Sequence, residues 1–299
     1  HLGSRNYDSW METEYQLRRQ LQQWINAQEP EEIALVKNTS EALSVVAYGM
    51  QWSAGDEIII SNQEFPSNRI VWESLKPLGV RIVVVDIGQT ENPEQAIIAA
   101  MTSRTRLVSL SSVQYSSGLA LDLVPIGTAC RQKKAAFCVD AIQSLGVKPF
   151  DAQACRADFV MADGHKWMLG PEGLALFYCR RDWIPRLALK QYGWRMVEHP
   201  GDFDRKDWQP ATSARRFECG SPNMLGIHAL QASLDLILEI GVDEINQIVS
   251  AKIQYLIDNL TEKKAMVLSS TNPAKRAGIV TFAPSGRDIE TKYRDLQRN

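Results

Sequence analysis

The chain has 299 residues, of which 44% are hydrophobic and 23% are charged, and its formal net charge is -2 at pH 7. This is the composition of an ordinary soluble globular protein, long enough for one large domain and a smaller one. No basic block and no run of about 18 apolar residues occurs, which argues against a nucleic-acid partner and against a membrane span.

The five cysteines are scattered along the chain, without a C-x-x-C motif or a Cys/His cluster. An odd number of isolated cysteines is typical of a protein from a reducing compartment. We therefore expect a cytoplasmic protein without a metal site. The cysteines are Cys130, Cys138, Cys155, Cys179 and Cys219.

Apolar residues are spaced so that strands and helices alternate. Residues 11–27 have the helical spacing of an amphipathic helix, and seven short apolar strands follow, most of them separated by helices. The predicted strands are 33–38, 57–61, 81–86, 105–113, 135–140, 157–163 and 173–179. This order predicts an α/β fold, with a mostly parallel seven-stranded sheet between two layers of helices.

The pattern changes after about residue 223. Two long helices, 224–241 and 245–264, precede a short apolar segment, 277–284, that is expected to be a strand of another sheet. We predict a large domain at 1–240 and the start of a smaller α+β domain at 241–299. Both ends lie in sequence that resembles the interior of a protein, so we expect an N-terminal segment and most of the small domain to be missing.

Polar or reactive residues follow five of the predicted strands. In open α/β sheets, ligands bind beyond the carboxyl ends of the strands. Residues 39–40, Phe65, 114–115, Asp140 and Lys166 are therefore expected to meet in one crevice.

Lys166 and Asp140 form the most informative pair. Lys166 lies in the glycine-bounded sequence GHKWMLGPEG, and Asp140 ends a buried strand in VDAIQS. A lysine that forms a Schiff base with an aldehyde cofactor provides an electron sink, and a carboxylate can keep the pyridine nitrogen protonated. The alternatives are a surface lysine and an aspartate that caps a helix. Taken together, the two strings predict a pyridoxal-phosphate enzyme.

Thr39 and Ser40 lie between a strand and a helix. Free amides and hydroxyls at a helix start favour a phosphate group. The same residues also fit an ordinary capping box, with Asn38 as the cap and Glu41 at the third helical position. The two interpretations are compatible, because a phosphate can bind the amides that remain.

Four further segments have a possible functional role and a simpler alternative. Gln143 is placed to reach a ring hydroxyl, or is a solvated helix residue. Phe65 is placed to stack on a cofactor ring, or packs under a turn. His165 is placed to contact a phosphate or to act as an acid or base, or only orients its loop. Residues 220–223 form a second anion site, or simply start a helix.

The VDAIQS and GHK strings at their spacing resemble the class V aminotransferase family, and the resemblance covers nearly the whole chain. This group of fold-type-I pyridoxal-phosphate enzymes includes cysteine desulfurases, isopenicillin-N-epimerase-like proteins and kynureninases. The resemblance implies that Lys166 forms the Schiff base with the cofactor and that Asp140 pairs with the pyridine nitrogen. It also implies that Gln143 contacts the phenolic oxygen.

The resemblance assigns roles to the supporting residues as well. Thr39 and Ser40 match the phosphate-binding turn, His165 matches the phosphate-side histidine, and Phe65 matches the stacking position. Ser221 matches a position that reaches the phosphate of a partner subunit. This last match implies a homodimer with shared active sites.

The chain departs from the family pattern at two places. Asp163 replaces a common serine, and a carboxylate on a phosphate dianion would be repulsive, so we expect Asp163 to point away or to pair with a cation or His165. Tyr115 replaces an asparagine of the desulfurases, and Gln114 and Tyr115 are expected to set substrate preference. The substrate-carboxylate arginine and the desulfurase cysteine of the family would lie beyond Asn299.

The resemblance implies an enzyme that acts on an amino acid through a Schiff base and a quinonoid carbanion, with Lys166 as the general base. Because several reactions share this carbanion, these residues do not choose among them. We favour transamination, with cysteine desulfuration, C–S lysis or epimerisation as alternatives. A catalytically silent fold-type-I binding protein is the remaining alternative.

Overall fold

The computed structural model describes residues 3–283, 289, 293, 294 and 298. The α-helices are α1 Tyr7–Trp24, α2 Thr39–Gly49, α3 Pro66–Glu73, α4 Pro93–Ala99, α5 Leu123–Lys133, α6 Met224–Ile240 and α7 Val242–Glu262. The strands of the main sheet are β1 Ile33–Val36, β2 Glu57–Ser61, β3 Arg81–Val85, β4 Thr105–Ser111, β5 Ala136–Asp140, β6 Phe159–Asp163 and β7 Ala175–Cys179.

The seven strands form one sheet in the order β1-β7-β6-β5-β4-β2-β3. Strand β7 is antiparallel to both of its neighbours, and the other pairs are parallel. All seven predicted strands are therefore confirmed, and so is the mostly parallel sheet. Because β1, β2, β4, β5 and β6 run in the same direction, their carboxyl ends lie along one edge.

The strands are apolar throughout because helices cover both faces of the sheet. On β1, Ile33 and Leu35 pack into the core that α1, α4, α5 and α6 complete. Ala34 and Val36, which alternate with them, pack into the core beneath α2 and α3. Burial on both faces turns the usual alternation of a strand into a continuous apolar run.

A buried ionic cluster fixes α1 to the sheet and to the segment that leads into α6. Arg18 donates to both carboxylate oxygens of Glu218, at 2.6 and 2.7 Å, and also to Glu14 and to the carbonyl oxygen of Ile33. Glu218 accepts a further hydrogen bond from the Leu35 N–H. Such buried charges are tolerated because each is paired and hydrogen-bonded.

The C-terminal part begins at a sharp bend. Gly241, with a φ of 92°, separates α6 from α7, and the two helix axes differ by 77°. No described helix is by itself long and apolar enough to cross a bilayer, and α6 and α7 reach that length only when joined across the bend. The domain boundary near residue 240 stays a prediction.

A second, two-stranded sheet follows α7. Strands β8 Met266–Val267 and β9 Phe282–Ala283 pair antiparallel, apart from the main sheet. Of the strand predicted at 277–284, only Phe282–Ala283 is a strand, and residue 284 lies outside the described residues. Most of the predicted domain beyond residue 283 also lies outside them.

Candidate functional site

A cavity of about 200 Å³ opens at the carboxyl edge of the main sheet. Its lining residues follow strands β1, β2, β4, β5 and β6, as expected for an open parallel sheet. They are Thr39, Ser40, Phe65, Ser67, Ser111, Val113, Tyr115, Asp140, Ile142, Gln143, Asp163, His165 and Lys166. The structure thus brings together the predicted site residues, except Gln114 and Ser221.

Asp140 forms the floor of the cavity at the end of β5. Its side chain is only 3% exposed, and its Oδ2 atom accepts a hydrogen bond of 2.6 Å from Nδ2 of Asn68. Its Oδ1 atom accepts the Ile142 N–H at 2.9 Å, in a turn rather than at a helix start. Burial raises the pKa of this carboxyl to about 6, while Asn68 and Lys166 oppose the rise. The ionised carboxylate therefore favours a cation or a proton donor in the cavity.

A buried polar network lies behind Asp140. Nδ2 of Asn68 also lies 3.4 Å from the Ser111 hydroxyl, which in turn donates to Glu64 at 2.6 Å. Glu64 accepts further hydrogen bonds from Ser61 and from Gln114. Our sequence analysis did not select Asn68, Ser111 or Glu64. The available signal was a glutamate three residues after β2 and an asparagine in the first turn of α3.

The Lys166 loop is shaped by a close contact with the turn that follows Asp140. Gly146 has a φ of +108°, and a Cβ atom there would lie 2.0 Å from the carbonyl oxygen of Trp167. Only glycine allows this approach. The loop is closed by a hydrogen bond of 2.7 Å from the Gly170 N–H to the carbonyl oxygen of Gly164. These contacts hold Lys166 at the wall of the cavity.

Aromatic rings form another wall. The Lys166 ammonium nitrogen lies 5.7 Å from the centroid of the Phe65 ring. Phe65 packs edge-to-face against Tyr115, with ring centroids 5.2 Å apart, and remains 45% exposed. Gln143 accepts a hydrogen bond of 3.2 Å from Nε1 of Trp167. Phe65 therefore presents a partly exposed aromatic ring beside the lysine.

The start of α2 forms the polar end of the cavity. The Asn38 side chain caps the helix by accepting the Glu41 N–H at 2.9 Å, which confirms the capping interpretation. The Glu41 carboxylate accepts the Lys37 N–H instead of the Asn38 N–H that a capping box would use. Beside the cap, the Ser40 and Ser67 hydroxyls lie 3.0 Å apart. Hydroxyls at a helix N-terminus suit an anion.

Asp163 occupies part of this polar end. Its Oδ1 atom accepts hydrogen bonds from the Thr39 N–H at 2.5 Å and from the Thr39 hydroxyl at 3.2 Å. Its Oδ2 atom lies 3.7 Å from Nδ1 of His165, so the expected pairing with His165 is confirmed. Burial raises the pKa of the Asp163 carboxyl, and Thr39, His165 and Lys166 oppose the rise.

Two predicted residues lie elsewhere. Gln114 is fully buried beneath the cavity, where its side-chain amide donates to Glu64 at 3.1 Å. Ser221 lines a separate cavity of about 290 Å³, together with Cys219 and Lys37. Its predicted reach toward a partner's phosphate stays a prediction.

The cysteines of the chain lie outside the Lys166 cavity. Four of them are buried and Cys219 is partly exposed. Burial raises the pKa of the Cys130 thiol to about 12 and that of the Cys155 thiol to about 11, which disfavours their reactive thiolate forms.

The sequence matches the model of one protein family. The family is described as Aminotransferase class-V, and the match extends over residues 7–297.

Individual relatives have related descriptions. A cysteine desulfurase of Yersinia pestis (strain Pestoides F) is 32% identical over 274 residues, which are 89% of this chain and 66% of that protein. The chain therefore spans just under two thirds of the length of this relative.

Solved structures share the fold. The apo structure of a cysteine desulfurase from Thermococcus onnurineus NA1 matches this chain with a TM-score of 0.88 at 25% identity. The match covers 100% of this chain and 74% of the desulfurase chain. The cystine C–S lyase C-DES, in complex with cysteine persulfide, matches this chain with a TM-score of 0.88 at 24% identity. The match covers 98% of this chain and 78% of the lyase chain.

Replacing Asp140 by Asn is expected to abolish a decrease of about 2–3 kcal/mol in the free energy of unfolding that the ligand-free wild type undergoes as the pH rises from about 4 to 7. The carboxyl has a pKa of about 6 in the folded chain and an ordinary value of 3.8, so the native state binds more protons between these values. Stability of the wild type is therefore lost as pH rises through this window. Urea unfolding at a series of pH values measures the difference.

The neutral Asn has no such pH dependence, so the free energy of unfolding of the variant, relative to that of the wild type, should increase by this amount between about pH 4 and 7. A relative stability of the two proteins that does not change with pH would contradict the account of Asp140.

Proposed function

The chain belongs to the class V aminotransferase family, and from this premise we propose that it is a pyridoxal-phosphate-dependent enzyme that cleaves the C–S bond of cysteine or a related amino acid. One observation carries the proposal. A buried carboxylate, Asp140, and a lysine, Lys166, that are 26 residues apart in the sequence line the same cavity, beside the partly exposed ring of Phe65.

The residues of the cavity fit pyridoxal phosphate. Asp140 is a buried acceptor that a protonated pyridine nitrogen satisfies, and the exposed ring of Phe65 offers a stacking surface. Lys166 is the primary amine that an aldehyde requires. The hydroxyls of Ser40 and Ser67, at the starts of α2 and α3, line the end of the cavity where a phosphate group would bind.

When bound, the cofactor supplies an electron sink for bonds at the substrate α-carbon. Lys166 would hold the cofactor through its Nζ atom, and the same amine, when free, would accept the α-proton of the substrate. Asp140 keeps a proton on the ring nitrogen by presenting an ionised carboxylate. Phe65 and Tyr115 cover one side of the cavity and reduce the access of water.

The names of the similar proteins favour C–S cleavage over the transamination that we favoured from the sequence. Cysteine desulfurases and a cystine C–S lyase are among them. Both reactions begin with loss of the α-proton from the substrate. Asp140 and Lys166 support this shared step. A catalytically silent protein would have no need to bury a carboxylate beside a lysine.

The assembly and the compartment are part of the same proposal. Ser221 lies at the start of the segment that leads into α6, outside the Lys166 cavity of its own chain. A homodimer in which Ser221 reaches the partner's phosphate site gives this residue a function. Four free, buried cysteines fit a protein that works in the reducing cytoplasm.

The protein loaded with pyridoxal phosphate, and supplied with an added thiol as sulfur acceptor and reductant, is expected to release sulfide from L-cysteine or cystine. Alanine as the co-product indicates desulfuration, and pyruvate with ammonia indicates elimination. Replacing Lys166 by Ala should lower the rate by about a thousandfold or more, because both cofactor attachment and proton transfer are lost. Chromatography identifies the co-product, and a sulfide assay measures the rate.

Lys252→Ala is the matched control, because Lys252 is an exposed lysine of α7 and should leave the rate unchanged. Transfer of the amino group to an oxo acid without sulfur release would identify transamination and reject C–S cleavage. An unchanged rate in Lys166→Ala would reject the assignment of Lys166.

Replacing Asp163 by Asn is expected to tighten pyridoxal phosphate binding by about tenfold at pH 8, because a like charge beside the phosphate is removed. An Asn side chain still offers an oxygen to the Thr39 N–H. Binding of pyridoxal, which has no phosphate, should change little. Because the pKa of Asp163 is raised, the difference should narrow as pH falls and the carboxyl is protonated.

Titration of cofactor-free protein, followed by absorbance, gives the dissociation constants. Asp122→Asn is the control, since Asp122 accepts the Val124 N–H at the start of α5, outside this cavity. Equal changes for pyridoxal and its phosphate would show that Asp163 does not face the phosphate.

A further inference from the structure

We propose that Asn68 is a positioning residue that fixes the orientation of the Asp140 carboxylate toward the cofactor ring, and that Ser111 and Glu64 fix Asn68 in turn. This inference rests on the proposed function, since it requires a pyridine ring above Asp140. Asn68 lies in the first turn of α3 and does not line the cavity. It acts only through Asp140.

The side-chain amide of Asn68 has a single favourable orientation. The residue has no exposed surface, and its Nδ2 atom donates to Oδ2 of Asp140 at 2.6 Å and to the Ser111 hydroxyl at 3.4 Å. With the amide reversed, its oxygen would face the Asp140 carboxylate, and two acceptors would repel each other. Both amide protons of Asn68 are therefore committed to these two acceptors.

The opposite end of the amide shows that this orientation has a cost. Oδ1 of Asn68 is buried and has no hydrogen-bond partner among the described residues. A buried acceptor without a partner destabilises a fold, so its retention requires an explanation. The explanation that fits is the function of the Asp140 carboxylate, to which the amide donates.

Ser111 and Glu64 determine which groups of the network donate hydrogen bonds and which accept them. A serine hydroxyl has one proton, and that of Ser111 is directed to Oε2 of Glu64 at 2.6 Å. The lone pairs of the hydroxyl are then free to accept from Asn68. Glu64 is held by the Ser111 N–H at 3.1 Å and by the Ser61 hydroxyl at 2.8 Å. The direction of each hydrogen bond is thus assigned: Asn68 and Ser111 donate, and Glu64 accepts.

The consequence is a carboxylate that cannot rotate. Asn68 holds Oδ2 of Asp140, and the Ile142 N–H holds Oδ1 at 2.9 Å. The charged or titratable groups around Asp140 are Glu64, Lys166 and the Cys138 thiol. Among these neighbours, Lys166 is the cation that favours the ionised carboxylate, and the Asn68 hydrogen bond adds to its effect.

The test compares pyridoxal phosphate with an analogue in which carbon replaces the ring nitrogen. Wild-type protein should bind pyridoxal phosphate more tightly than the analogue, because only the former has a nitrogen for Asp140. Asn68→Ala should reduce this preference by about tenfold, the usual effect of losing a hydrogen bond to a charged group. The affinity for the analogue itself should change little. Titrations of cofactor-free protein measure both dissociation constants.

Ser111→Ala provides a second variant in case Asn68→Ala does not fold. It keeps the Asn68 side chain but removes its anchor, and should reduce the preference by about threefold. Ser112→Ala is the matched control: its buried hydroxyl contacts the Asp140 carbonyl oxygen and Ser144, not the carboxylate. This variant should keep the wild-type preference.

The possible results separate the two proposals. A wild-type protein that does not distinguish the two ligands would reject the pairing of Asp140 with the ring nitrogen, and with it the proposed function. A wild-type preference that persists in both Asn68→Ala and Ser111→Ala would reject the role of Asn68 alone. Equal weakening of both ligands would show that Asn68 has only a structural role.

Discussion

The carboxylate of Asp140 lies at the end of β5, the central strand of the sheet, and the residue is only 3% exposed. A charge in such a place must be satisfied by hydrogen-bond donors or by an opposite charge. The fold supplies donors from two directions, the Asn68 amide and the Ile142 N–H, and a cation from a third, Lys166. The rest of the site can be understood as the means of holding these groups around one buried charge, with one side left open to a ligand.

The parallel sheet makes this arrangement possible because it ends several strands at the same edge. Each loop then adds one chemical property: the α2 start adds hydroxyls, the segment after β2 adds an aromatic face, and the loop after β6 adds an amine. Local backbone geometry completes the site, since Gly146 lets the turn after Asp140 lie against the Lys166 loop. Asp163 is the exception, a second carboxylate in a site that otherwise suits an anion.

The sequence was sufficient to predict the strands and the meeting of Asp140 and Lys166 in one cavity. Strands buried on both faces are continuous apolar runs, and Asp140 and Lys166 follow such runs beside glycine-rich or polar turns. Asn68 and Glu64 were missed because their partners are distant in the sequence: 72 residues separate Asn68 from Asp140, and 47 separate Glu64 from Ser111. Only the register of β2, β4 and β5 brings them together. The sequence also did not decide between transamination and C–S cleavage, because Asp140 and Lys166 serve both reactions.

The central claim is that Asp140 keeps the ring nitrogen of bound pyridoxal phosphate protonated. The direct measurement is the ¹⁵N chemical shift of a cofactor labelled at that nitrogen and bound to the protein, recorded between pH 7 and 9. The account predicts a protonated nitrogen throughout this range in the wild type, because the ionised carboxylate raises the pKa of the nitrogen beside it. A ring nitrogen that is unprotonated at pH 7 in the wild type would contradict the account.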